Sequence, residues 1–349
     1  MIWLLSRNPK KSRRRQYGCM HCRSLDNRVY FYCCILDRTV YSRQKPFVPP
    51  LQTQLAADKH ITALRIGVDR EISRVTQHER GIQWIAERAL RYSALTKGHR
   101  WRPILFMALI ESMRGSYKAY LGTAAGLELL HTGTLIIDDL PCVDNATLRR
   151  GKPCCHVRFG ADVAIYASHL AFDMAETLIL RDAPRDLKEN ILQDIKALKK
   201  TLIAGQSIER ALCARELPVT FQNVKSHYYM RSGALFSFSV RLAAMVSGVK
   251  PQGVQLVGQF GEEVGVAYQI ADDIADMSGD SSQIGKQTQM DVGKINFPRH
   301  YGKPSAIQNL RVHSRHAIAL LDSLYSKNVL TTDTRPLLTS ILKHLHQHY

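Results

Sequence analysis

Three aspartates, Asp138, Asp139 and Asp144, close an apolar helix-like run in the stretch 127–156, and Arg149, Arg150 and Lys152 follow at once. Carboxylates aimed at one point repel each other unless a cation sits between them. Ligands that are all oxygen suit a hard ion, Mg²⁺ above all. The adjoining cations suit a phosphate shared between metal and guanidinium groups. Taken alone, a DDxxxxD is better explained by a charged loop with surface ion pairs, so the decision rests on the remainder of the chain.

A second acidic cluster, YQIADDIADMSGD, spans residues 268–280. Asp272 and Asp276 are four apart and share a helix face, with Asp273 adjacent. Both clusters stand at the C-terminal ends of apolar helices, where the macrodipole opposes negative charge. A bound cation explains two such clusters better than solubility does. A basic segment follows each: Arg149–Lys152 after the first, and Lys286 and Lys294 after the second. Arg100 and Arg102 come earlier, in Lys97–Pro103. A diphosphate with a long apolar tail, bridged to the acids by divalent ions, satisfies both the charges and the apolar helix walls.

The elements that must hold these groups are helical. Apolar periodicity predicts helices over 61–75, 82–95, 120–137, 161–180, 187–212, 252–277, 306–325 and 335–348. Pro103 opens another, and 224–229 leads into 233–247. No alternating strands or hairpin signals appear. The expected fold is all-α: a single-domain bundle over residues 51–349. Residues 1–50 hold eleven Lys/Arg against two Asp, half of the formal +18. They are read as a basic extension outside the fold, either disordered or a gene-model artefact. If genuine, this Arg-rich, acid-poor stretch suits an organellar transit peptide; otherwise the expected location is cytoplasmic. With the charge concentrated there, and no basic-aromatic recognition motif elsewhere, nucleic-acid binding is not expected. No apolar run has transmembrane length. Eight cysteines, including two adjacent pairs, form neither a disulfide framework nor a standard zinc spacing.

The two aspartate motifs in this order, with LRRGKP after the first and GK…D…GK after the second, make the chain resemble a trans-isoprenyl diphosphate synthase. The resemblance is to the polyprenyl synthetase family, near the geranylgeranyl diphosphate synthases, and covers about residues 55–349. It implies helices around a deep central cavity, a homodimer, and three Mg²⁺ per site on Asp138, Asp139, Asp144, Asp272, Asp273 and Asp276. It assigns Arg149, Arg231, Ser232, Gln269 and Lys286 to the allylic diphosphate. His99, Arg100, Arg102, His131 and Arg150 are assigned to isopentenyl diphosphate, and Gln206 to the site lining. The implied activity is Mg²⁺-dependent head-to-tail condensation of isopentenyl diphosphate with dimethylallyl, geranyl or farnesyl diphosphate. Other readings are a farnesyl or longer-chain synthase and, further off, a terpene cyclase.

The chain departs from the family pattern at four places. His99 replaces a lysine, Arg231-Ser232 a Lys-Thr pair, and Glu209 an aspartate, while 167–170 lacks a Gly-Asp. Pro141 and the longer first motif predict that the helix ends there and the chain turns Asp144 back. Gly133 and Thr134, five and four residues before Asp138, stand where an aromatic would stop the product tail. An open floor at Gly133 predicts a C20 product.

Overall fold

The computed structural model describes residues 50–77, 84–278 and 295–346. The helices are α1 Leu51–Val75, α2 Ile85–Ala94, α3 Trp101–Arg114, α4 Leu121–Asp138, α5 Cys155–Phe159, α6 Ala161–Asp182 and α7 Lys188–Cys213. They continue with α8 Phe221–Tyr228, α9 Ala234–Val246, α10 Pro251–Ser278, α11 Phe297–Tyr301, α12 Lys303–Ser326 and α13 Arg335–His346. The fold is all-α, as the periodicity predicts.

Burial separates core helices from covering ones. α1 buries Ala57, Ile61, Leu64, Val68 and Ile72, a single stripe at helical spacing. α3 buries every residue from Trp101 to Ile110, and α4 every residue from Gly122 to Leu130. Helices apolar on all sides belong inside, and these two form the centre. α4 packs along α6 and against α1 and α3, while α10 packs against α9 and α12. The α4–α6 seam is close: a methyl added to Gly126 would lie 3.0 Å from the Ala175 carbonyl oxygen. Ser168 Oγ donates to the Gly133 carbonyl across the same seam at 3.0 Å. By length and composition α6 also qualifies as a membrane span, although the sequence shows no such run without charges. Here one side of it is the partner of α4.

Three irregular features shape the site. α4 stops at Asp138, and the Asp144 N–H donates back to the Asp138 carbonyl at 3.0 Å. A short antiparallel hairpin, which periodicity does not predict, pairs Leu148 with Pro153 and Arg149 with Lys152. Its turn residues Arg150 and Gly151 have φ of 54° and 74°, the double positive φ of tight hairpin turns. A π-helical turn, Tyr229–Gly233, joins α8 to α9. Two neighbouring helices approach it closely. A methyl on Gly265 of α10 would fall 2.7 Å from the Gly233 Cα, and one on Gly205 of α7 would fall 3.0 Å from the Met230 Cβ.

Candidate active site

The first motif ends a buried helix, so its carboxylates must find partners. Asp138 is 8% exposed and Asp139 3%. Arg149, on the hairpin, binds Asp139 through Nε at 2.8 Å and Nη2 at 2.5 Å. Burial opposes the Arg149 charge, but the hydrogen bond to Asp139 and the Asp139 and Asp138 charges outweigh it and raise the pKa. Arg231, presented by the π turn, donates to Asp138 at 3.1 Å and also binds Glu209. Gln206 donates to the other Asp138 oxygen. The half-buried Asp144 carboxylate contributes to holding the charge on Arg231.

The second motif lies on the same cleft, linked to the first through the π turn. Ser232, next to Arg231, donates to Gln269, and Gln269 donates to Asp273 at 2.8 Å. The Tyr228 hydroxyl donates to the other Asp273 oxygen and accepts the Phe297 N–H at 2.7 Å. Asp273 is 5% exposed, whereas Asp272 and Asp276 are half-buried. Lys286 falls outside the described residues.

Among the described residues no three His, Cys, Asp or Glu side chains are gathered as a metal cluster. Arginines balance the Asp138 and Asp139 charges instead. The donor chemistry still fits a hard divalent ion, because the candidate ligands are carboxylate oxygens. A soft group nearby is the Cys154 thiol, hydrogen-bonded to Asp139. Its pKa is pushed up to about 12, first by burial and then by the Asp139 charge, so it stays protonated.

Beside the acids lies a buried cluster of cations. Arg102 is 6% exposed, stacks 4.5 Å over the Phe236 ring, and has no hydrogen-bond partner at Nε. Burial lowers its pKa and the Arg150 charge adds to this, while Tyr268, Glu128 and Asp272 act the other way. Arg150 is lowered too, by burial and then by Arg100 and Arg149 against the pull of Glu128. Its guanidinium donates to the Thr96 carbonyl at 3.3 Å and lies against Gly98, where an added methyl would fall 2.5 Å from its Cζ. His131 is held well below the usual imidazole range by burial, then by Arg102, Arg150, Arg149 and Arg100. It is therefore neutral at pH 7. His99 is exposed and stacks on Trp101, with centroids 5.9 Å apart and planes 4° from parallel.

Two expectations need correction. Arg100 does not offer its guanidinium to the cleft. Its side chain is 1% exposed and donates to Asp69 at 2.8 Å, Glu128 at 2.7 Å, and the Ala94 and Thr96 carbonyls at 2.7 and 3.1 Å. With φ of 58° it also sits in a left-handed turn ahead of α3. Its donors hold that turn, leaving Arg102 and Arg150 as the cations of this cluster without a carboxylate partner among the described residues. Gly133 does not open a floor. The Phe172 ring of α6 fills the space, 2.8 Å from where a methyl on Gly133 would stand. Thr134 is half-buried, and its hydroxyl donates to the His131 carbonyl at 2.8 Å.

Sequence reasoning missed Tyr228, Cys154, Glu128 and Phe172. Each acts across elements; Glu128 and Cys154 fall within the stretch 127–156 and Tyr228 stands three residues before Arg231, yet none drew a role there. Glu209 was read only as a departure, yet it shares Arg231 with Asp138.

The polyprenyl synthetase family model matches residues 83–327. Geranylgeranyl pyrophosphate synthase 11, chloroplastic, of Arabidopsis thaliana is 33% identical over 230 residues, covering 62% of this chain and 63% of that protein. The chain thus spans less than two thirds of that relative's length. A geranylgeranyl diphosphate synthase of Pseudescherichia vulneris is 31% identical over 261 residues, covering 73% of this chain and 83% of the relative. The crystal structure of a geranyltranstransferase from Thermotoga maritima superposes with TM-score 0.70 at 28% identity, covering 82% of this chain and 98% of that one.

Proposed function

The chain belongs to the polyprenyl synthetase family, and from that premise we propose that residues 51–349 form a Mg²⁺-dependent prenyltransferase. It condenses isopentenyl diphosphate head to tail with dimethylallyl, geranyl and farnesyl diphosphates, ends at the C20 geranylgeranyl diphosphate and releases pyrophosphate. One observation carries the reading: Arg102 is buried with an unpartnered Nε beside Arg150, on the cleft that the aspartates border. A buried donor without an acceptor is costly, and adjacent buried cations more so. A bound anion relieves both. The names of the 31–33% identical relatives support the C20 product.

Asp138, Asp139, Asp144, Asp272, Asp273 and Asp276 would hold the metal, three ions by the family resemblance. When bound, Mg²⁺ neutralises charge developing on the leaving diphosphate. Arg149 and Arg231, now paired with Asp139 and Asp138, are placed to move to diphosphate oxygens, since the guanidinium fork fits carboxylate and phosphate alike. Lys286 and the Ser232–Gln269 pair serve the same allylic diphosphate. Arg102, Arg150 and neutral His131 hold isopentenyl diphosphate, with His99 at the exposed rim. The allylic C–O bond ionises, the isopentenyl double bond attacks the allylic cation, and the departing pyrophosphate takes the proton lost. No side-chain nucleophile is required. The apolar walls exclude the water that would trap the cation.

A homodimer is part of the proposal. Ile165 and Tyr166, 39% and 57% exposed on α6, support it as an apolar outer face. Light scattering on the purified chain tests the dimer.

The deciding experiment incubates the full chain with labelled isopentenyl diphosphate and each allylic primer, with Mg²⁺ or with EDTA. A C20 product that requires Mg²⁺ is expected. A C15 or longer end product would correct the length alone. A hydrocarbon made from geranylgeranyl diphosphate without isopentenyl diphosphate would replace the reading with a cyclase.

A further inference from the structure

The hairpin that carries Arg149 and Arg150 has a second side. Its outer face, with α2 and α5, borders a groove of about 380 Å³ that lies outside the cleft described above. Every ionisable side chain lining it, other than the tyrosine, is a cation: Arg88, Arg91, Lys152 and Arg158. Arg91 is occupied, donating to the Ser73 carbonyl, Ser73 Oγ and Thr76 Oγ1 at 2.6, 3.0 and 3.0 Å. Arg88, Lys152 and Arg158 are exposed, and none has a carboxylate partner among the described residues. Lys152 and Arg158 gather around an aromatic pair instead, with Arg88 on the groove beside them. Arg158 Cζ lies 4.3 Å from the Tyr92 centroid and Lys152 Nζ lies 5.9 Å from it. Tyr92 itself packs edge-on to Phe159, with centroids 5.5 Å apart.

Exposed cations ordinarily spread into solvent or pair with acids. Here like charges are collected on one aromatic platform, which costs repulsion unless an anion joins them. Arginine forks and a lysine around a groove of this size suit a phosphate-bearing anion, with ring faces beside it for an attached apolar group.

We propose that this groove is a second phosphate site, separate from the catalytic cleft, for a free diphosphate or a phosphate headgroup. It is coupled to the cleft through shared structure. Tyr92 lines both, and its hydroxyl donates to the Pro153 carbonyl at 2.8 Å, tying α2 to the hairpin. Lys152 faces the groove, while its strand partner Arg149 binds Asp139. An anion that orders Lys152 and Tyr92 therefore steadies the strand that presents Arg149.

The test titrates the full chain with inorganic pyrophosphate by calorimetry in EDTA, which keeps metal from drawing the anion to the aspartates. In parallel, sedimentation is measured with phosphatidylcholine vesicles with or without phosphatidic acid. The variant is R88Q/R158Q, two exposed side chains outside the proposed catalytic set, with thermal melting to confirm its fold. The proposal expects a pyrophosphate-binding component in the parent chain that weakens about tenfold or more in the variant. Mg²⁺-dependent condensation persists. Loss of binding to phosphatidic acid vesicles with pyrophosphate binding unchanged assigns the same site to a headgroup. The proposal is overturned if neither probe distinguishes variant from parent, or if condensation is abolished along with pyrophosphate binding. Should the double variant melt early, Arg158→Gln alone gives the same comparison.

Discussion

Arg100 and Arg102 stand two positions apart, and their surroundings give them different work. Arg100 spends its donors on Asp69, Glu128 and two carbonyls. Arg100→Ala would strand Glu128, itself 1% exposed, and should cost about 3–5 kcal/mol of stability, read as a lower denaturation midpoint. Arg102→Ala should instead leave the midpoint near that of the parent and raise KM for isopentenyl diphosphate by about tenfold or more. The reverse pattern would return Arg100 to the ligand. His99 poses a separate question, because a histidine loses its charge near neutral pH where a lysine keeps it. His99→Lys, which places a permanent cation at the rim, should lower KM for isopentenyl diphosphate several-fold. An unchanged KM would remove position 99 from the diphosphate.

At the scale of elements, the α4–α6 seam decides what happens below the aspartates. Gly133 is open only in the one-dimensional reading, since Phe172 arrives from a helix more than thirty residues later. Gly133→Ala should cost about 1–3 kcal/mol by overpacking against the ring, and adding Phe172→Ala should recover much of it. If the tail runs down this face of α4, Phe172→Ala alone should shift products beyond the parent length by chromatography. An unchanged distribution would make Phe172 a packing residue only. Helix positions were legible because apolar periodicity is strong along 61–75, 161–180 and 252–277, and the structure places helices over all three. The hairpin and the π turn were not, because strands of two residues and one turn of π-helix leave no period to read. Asp144 was an intermediate case: Pro141 and the spacing foretold the turn, and the Asp144–Asp138 backbone bond closes it.

For the whole molecule, charge couples stability to pH through a group on α10 ahead of the second aspartate motif. Burial, then the neighbouring Glu263, pushes Glu262 on α10 up to about 7 from its ordinary 4.5. The folded state thus holds this proton more tightly than the unfolded chain does. Stability from this group is greatest below about pH 4.5, falls as pH rises towards about 7, and is constant above. Glu262→Gln should raise unfolding free energy by on the order of 2–3 kcal/mol near pH 8 and by little near pH 4. Equal effects at both pH values would contradict the burial argument. The aspartates were legible because repeated acids at helix ends are conspicuous, whereas partners such as Tyr228, Glu128 and Phe172 are ordinary residues until the chain folds. The π turn at Tyr229–Gly233 carries one more implication, for how such a site can change by descent. It holds an extra residue within a continuous helix, with its far end fixed where Gly233 meets Gly265. Deleting Ser232 would restore ordinary winding and rotate what lies upstream, Arg231 included, by about 100°. Helix content and the α9 core would survive, while the guanidinium that now reaches Asp138 and Glu209 would swing off the cleft. The phase of the helix is therefore a heritable setting of the site, open to insertion and deletion and hidden from substitution.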